Sequence, residues 1–273
     1  MFEFLQYPFM IRALVSGIFI AVLLGWLGVF IVTRKMSFIG DGIAHASLAG
    51  IAVAILLGWT PIPVAVVFSI IIATSIYMIE RKTKISSDMA IAIMFTTSMA
   101  IGIILLHFYQ GYQPELISYL FGNILFVNNY DLWNIIIFGI LIILILFIFH
   151  RRILFVTFDP VGAYLSGLNP WFYDLLLYII TAITVVLSIK LLGMILVSAL
   201  LVTPSAIAKL FAKSFKKFTI LTIFFAVLIV LVGLIISYYL NLPSGAVIVL
   251  TGTILFLVLS VVKLVNSKIV KRC

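Results

Sequence analysis

Runs of about twenty apolar residues, parted by short clusters of charge, proline or glycine, fill this chain from end to end. At a rise of about 1.5 Å per residue, each such run crosses a hydrocarbon core about 30 Å thick, and no soluble fold needs several in succession. The pattern predicts an all-α, polytopic membrane protein of about nine spanning helices. They fall at 9–32, 37–58, 62–79, 88–108, 131–149, 171–188, 191–208, 218–239 and 245–265. Arg34 and Lys35 end the first run, Pro61 and Pro63 punctuate the second, and Glu80 to Lys84 closes the third. His150, Arg151 and Arg152 end the fifth, and Asn241 to Gly245 makes a tight turn before the ninth. Residues 171–208 are nearly continuous, with only Lys190 and Gly193 to support a turn. One long tilted helix there would reverse the side of everything after it.

The distribution of charge decides between the two. With nine spans and the N-terminus outside, every Lys and Arg except Arg12 and Lys190 falls on the cytoplasmic side. A single span over 171–208 would place Lys209, Lys213, Lys216 and Lys217 outside. The expected orientation is therefore N-out and C-in, in the cell (cytoplasmic) membrane. The composition agrees, with 65% hydrophobic and 9% charged residues. A net charge of +9 would suggest nucleic acid in a soluble protein, but here the basic residues sit between the spans. Nucleic acid is not expected as a partner; membrane lipid is. The first apolar run is too long for a cleaved signal peptide and lacks a basic leader, so it reads as the first span. The single cysteine, Cys273, excludes a disulfide framework and a Cys-rich metal site.

Two links exceed the minimum length. The outer segment 109–130 carries Tyr109, Tyr112, Tyr119 and Tyr130, with Trp133 just beyond, a composition suited to the membrane interface. In the inner segment 153–170, Asp159 reads as a helix N-cap, Pro160 as the first helical residue and Gly167 as a C-terminal stop. That predicts a helix of about two turns on the cytoplasmic face, either a functional handle or an ordinary capped connector.

The second span holds the strongest anomaly, Asp41 and His45, four residues apart and so on one helical face. Counted from Met36 they lie roughly 8 Å and 14 Å along the helix, which puts His45 near mid-membrane. A buried Asp costs about 2.5–3.5 kcal/mol on insertion scales, so it must face protein or a water-filled path. A carboxylate oxygen beside an imidazole nitrogen is half a site for a divalent cation such as zinc or manganese. The alternative is a mutually hydrogen-bonded pair that only fixes helix packing. Gly40, Gly42, Ala44, Ala46 and Ser47 keep the surroundings slim.

His107 reads as interfacial, His150 as part of the positive cluster with Arg151 and Arg152, and Glu115 as a solvated acid or a guide for incoming cations. Gly193, Ser198, Ala199, Thr203, Ser205 and Ala206 form a small-residue surface suited to tight packing or to lining a path. No phosphate-binding loop, zinc-protease motif or Ser/His/Asp arrangement is present, so the chain is not expected to be an enzyme. If it is a pump, its ATPase is a separate chain.

Five blocks resemble the membrane permeases of zinc/manganese/iron ABC importers. They are Pro8–Leu14 with Leu27–Val32; Ser37–Gly50, which contains Asp41 and His45; Ser118–Leu125; Phe158-Asp159-Pro160 with Ala163, Gly167 and Leu168; and Gly193–Pro204. The resemblance implies a type II ABC importer-like bundle over 1–273, one transmembrane permease domain with a coupling-helix segment at about 153–170. It further implies two permease copies forming a homodimer, two ATP-binding cassette subunits beneath them and an extracytoplasmic metal-binding protein. It places metal contact on Asp41 and His45, and contact with the ATPase on Asp159, Pro160, Ala163 and Gly167. Glu115 and Asn123 are candidates for an outer gate or for supporting the ligands, although Asn123 stands where many members carry an acid. Val161-Gly162 likewise replaces a more polar pair. No permanently bound cofactor is implied; the cargo is zinc or manganese, with iron a third candidate. The alternatives are an iron-chelate or cobalamin-type permease, whose wide path needs no Asp–His pair, and an intramembrane enzyme, which would need converging groups from several spans.

Overall fold

The structure, a computed structural model, describes residues 7–109 and 129–270, and these are helical almost throughout, with no strand among them. In chain order the helices are α1 (Pro8–Thr33), α2 (Ile39–Leu57), α3 (Pro61–Thr83), α4 (Ser87–His107), α5 (Asn129–Phe158), the short α6 (Pro160–Leu165), α7 (Pro170–Ile189), α8 (Leu192–Phe211), α9 (Phe215–Leu240) and α10 (Ser244–Val270). All but α6 are long and apolar enough to cross a membrane. Proline opens α1, α3, α6 and α7 at the first turn, where its missing N–H is no loss.

Lys190 and Gly193 do mark a division. Gly193 has φ 75° and ψ 163°, a conformation open essentially to glycine alone, and the helical axis breaks there. The chain then turns back. Ile189 at the end of α7 lines a small cavity with Ile62 and Ala65 from the start of α3. Lys209 and Ala212, at the end of α8, share a cavity of about 320 Å³ with Val32, Thr33 and Phe158 at the opposite end of the bundle. The two halves are therefore separate, antiparallel spans.

Several boundaries differ from the sequence pattern, two of them with a clear local cause. The fifth helix continues past His150–Arg152 to Phe158, because arginine is a good helix former and nothing breaks the helix before Asp159-Pro160. The second begins at Ile39 rather than near Met36, because Lys35 adopts φ 59° and residues 34–38 form a hydrogen-bonded turn.

Helices α1, α2, α7 and α8 form the interior, and α4, α5 and α10 the periphery. The most apolar stretch of α2 is 67% buried, that of α5 or α10 17%. The exposed faces of the outer helices carry Ile, Leu, Phe and Val, as a lipid-facing surface must. Inside, several hydroxyls return to their own helices. Ser16, Ser47, Thr181, Thr184 and Ser188 each donate to a carbonyl three or four residues back, at 2.6–2.7 Å.

The end of the bundle that gathers the basic links is held by a polar cluster. The Arg34 guanidinium donates from Nη1 to Asp174 Oδ1 at 2.7 Å and from Nε to Thr157 Oγ1 at 3.0 Å. Arg81 Nη2 donates to the other Asp174 oxygen at 2.7 Å. Next to it, Tyr178 and Ser87 both donate to the Glu80 carboxylate. Two cations and two anions thus balance, tying the α1–α2 link, α3, α4, α5 and α7 together. The Arg34 and Asp174 side chains are only 12% and 16% exposed, and a nearly buried pair of this kind costs about 3–5 kcal/mol to break from one side.

Gly193→Ala should destabilise the fold by about 1–3 kcal/mol, because any Cβ strains that backbone conformation. A lowered thermal midpoint in detergent checks this, and an unchanged midpoint would show that the break does not need glycine.

Candidate functional site

Asp41 and His45 lie in the first two turns of α2, about 3 Å and 9 Å along it from Ile39. The later helix start thus brings His45 to about a third of the helix, nearer the basic end than mid-span. Their surroundings are set by the glycines on either side. A Cβ on Gly40 would meet Leu201 Cδ1 at 2.8 Å, on α8, and one on Gly42 would meet Ile91 Cγ2 at 2.4 Å, on α4. At about 100° per residue, Asp41 and His45 both point between those two directions. Most of α2 around them is buried, yet Asp41, His45 and Leu48 are half-exposed. They form a strip left uncovered between α4 and α8.

The pair is not hydrogen-bonded side chain to side chain. His45 Nδ1 lies 2.9 Å from the main-chain carbonyl of Asp41. A carbonyl oxygen only accepts, so Nδ1 is the protonated nitrogen of this contact, which in a neutral ring leaves the lone pair on Nε2. That is the tautomer a metal ligand needs, with the ring oriented by its other nitrogen. Phe95 of α4 stands edge-on to the imidazole, with ring centroids 5.1 Å apart. The Asp41 carboxylate has no hydrogen-bond or ion-pair partner among the described residues. Nor do the described residues contain any group of three or more His, Cys, Asp or Glu placed to hold a metal ion. One chain therefore offers two donor side chains, on an open face.

The second predicted feature, the short helix, has the local chemistry its sequence suggests. Asp159 caps it, Oδ1 accepting from Gly162 N at 2.8 Å. A Cβ on Gly162 would meet Asp159 Oδ2 at 2.2 Å, so a larger residue there would make the capping carboxylate shift. Gly167, at φ 82°, ends it, and Leu168 N donates to Ala163 O at 3.0 Å. Ala163 is fully buried against the bundle, while Val161, Tyr164 and Leu165 are 68–80% exposed. This six-residue helix therefore presents an exposed apolar face at the basic end.

The remaining candidates separate. Glu115 and Asn123 lie outside the described residues, as does most of the predicted aromatic segment. His107 ends α4 beside Phe108, exposed. His150 is not part of a solvated positive cluster. Its ring packs at 5.5–6.1 Å from Trp26, Phe30 and Phe215. The small-residue surface of α8 serves packing at Ser198 and Ser205, both buried and bonded to their own helix. Arg34, Thr157, Glu80 and Asp174 were not singled out by pattern. The signal was there, since Glu80 and Asp174 are acids within long apolar helices.

The chain matches the ABC 3 transport family over residues 6–263. It is 37% identical over 254 residues to the manganese transport system membrane protein MntC of Listeria innocua, covering 93% of this chain and 90% of that protein. It is 33% identical over 258 residues to the high-affinity zinc uptake system membrane protein ZnuB of Haemophilus influenzae, covering 94% and 98%. Among solved structures, PsaBC from Streptococcus pneumoniae in complex with Fab superposes with a TM-score of 0.82 at 35% identity, covering 94% of each chain.

Asp159→Ala should loosen α6 by about 1 kcal/mol, whereas Asp159→Asn, which keeps an acceptor, should not. Faster amide exchange at residues 161–164 in the alanine variant alone checks the cap. Equal exchange in both variants would refute it.

Proposed function

The chain belongs to the ABC 3 transport family, and from that membership we propose that it is the transmembrane permease of an ATP-driven importer of divalent transition-metal ions. Manganese and zinc are the cargoes named for its relatives MntC and ZnuB. The observation that carries the reading to particular residues is the Asp41–His45 strip. An unpaired carboxylate and an imidazole with a free Nε2 stand side by side on a half-open face of an otherwise buried helix. Oxygen and nitrogen donors without thiolate suit manganese, zinc and ferrous iron.

The open strip is where a second copy of the chain fits best. A homodimer joined there supplies two carboxylates and two imidazoles, enough to replace much of an ion's hydration. Alternating access then exposes the site to each side in turn, and the basic end faces the cytoplasm. Energy comes from two ATP-binding subunits seated on the exposed Val161, Tyr164 and Leu165 face of α6, and an extracytoplasmic metal-binding protein delivers the ion. Asp159, Pro160, Ala163 and Gly167 shape α6 rather than touch the cargo.

In the assembled transporter, Asp41→Ala and His45→Ala should each abolish uptake of radioactive manganese or zinc while assembly stays intact. Full uptake in both variants would remove the metal site from α2. Deleting residues 160–166 should prevent co-purification of the ATP-binding partner; undiminished co-purification would take α6 out of the coupling.

A further inference from the structure

We propose that Arg34 is the joint that carries movement of α6 into α2, and so into the Asp41–His45 pair; this rests on the importer reading above. The argument begins with where the two arms of Arg34 end. Its Nε bonds Thr157, two residues before the Asp159 cap of α6, and its Nη1 bonds Asp174, just past the link that leaves α6. One guanidinium therefore holds the last turn of α5 and the second turn of α7, the two supports between which α6 is slung.

Both supports are stiff. The N–H of Asp159 still donates to Phe155, so α5 runs hydrogen-bonded to the cap. Asn169 accepts from Trp171 N at 3.1 Å and caps α7. The side facing the metal pair is equally stiff. Arg34 N donates to Phe30 O, Met36 N to Ile31 O, Ile39 N to Met36 O and Gly42 N to Phe38 O. Hydrogen bonds thus run without a slack segment from Arg34 through the link to the residue after Asp41.

A displacement of α6 that shifts α5 against α7 has two outcomes at Arg34. It breaks one arm of the guanidinium, or it drags the α1–α2 link and turns the foot of α2. Asp174 is kept on the α3–α7 side by Arg81, and Glu80 bonded to Tyr178 joins those two helices a second time. The moving parts are then a block of α3 and α7 on one side and α5 on the other, with Arg34 reading the offset between them. The task needs a planar fork with donors in two fixed directions, which lysine does not have. A role limited to stapling the bundle would make the same bonds, so the test must separate coupling from stability.

The test uses the permease with its ATP-binding partner and its metal-binding protein in vesicles, as parent, Arg34→Lys and Thr157→Val. Three quantities are read together: partner retained on purification, ATP hydrolysed, and radioactive manganese imported. Retention and hydrolysis should stay near parent values, while manganese imported per ATP falls on the order of tenfold in Arg34→Lys. Thr157→Val, which removes one hydroxyl, should lower the same ratio in the same direction and decides the matter if Arg34→Lys does not assemble. An unchanged ratio, or retention, hydrolysis and import falling together as in a loosened bundle, overturns the inference. If the parent imports neither manganese nor zinc with ATP, the importer reading fails and this joint fails with it; if it imports zinc alone, zinc replaces manganese in the ratio. Parent import with an unchanged ratio in the variants removes the joint alone.

Discussion

A hydrocarbon slab offers a polar group no water, so each one inside it must find a partner in the chain or be left open for a purpose. That constraint orders the whole bundle. Hydroxyls of Ser16, Ser47, Thr181, Thr184 and Ser188 turn back onto their own helices. Arg34, Arg81, Glu80 and Asp174 neutralise one another where four long helices and a link meet. Against this background Asp41 stands out as a half-buried carboxylate with nothing bound to it among the described residues. Leaving it unpaired there costs the fold something, and that needs a reason. A cation supplies one.

Much of this was legible in the amino-acid order, because the period of apolar residues and the chemistry of glycine, proline and caps are local. Gly193 marked the turn between α7 and α8, and Asp159-Pro160 with Gly167 marked α6. The spacing of Asp41 and His45 put them on one face. What pattern did not reach were relations between distant segments. Arg34 and Asp174 are 140 positions apart, and Arg34 and Thr157 are 123 apart, so nothing local announces either bond. The ring of Phe95 against His45 and the aromatic pocket around His150 arise the same way, from helix packing. The start of α2 was misplaced because Lys35 takes a left-handed conformation that its residue type does not advertise.

These features make one mechanism. Hydrogen-bonded joints lead from a short exposed helix at the basic end to the foot of α2, and α2 carries an acid with no partner among the described residues and a histidine set beside it. The imidazole is oriented by its Nδ1 contact to the Asp41 carbonyl, which in a neutral ring leaves Nε2 for a ligand. In the proposed importer the described residues of one chain bring only two such donors, so the ion would complete its shell from water or from a second copy.

The most direct test is the identity of the atoms around the ion. Manganese(II) bound to the assembled permease, examined by pulsed electron paramagnetic resonance, should show hyperfine coupling to an imidazole nitrogen. That coupling should vanish in His45→Ala while the ion stays bound through oxygen. A parent protein that binds manganese with no nitrogen coupling, or a coupling that persists in His45→Ala, would contradict it.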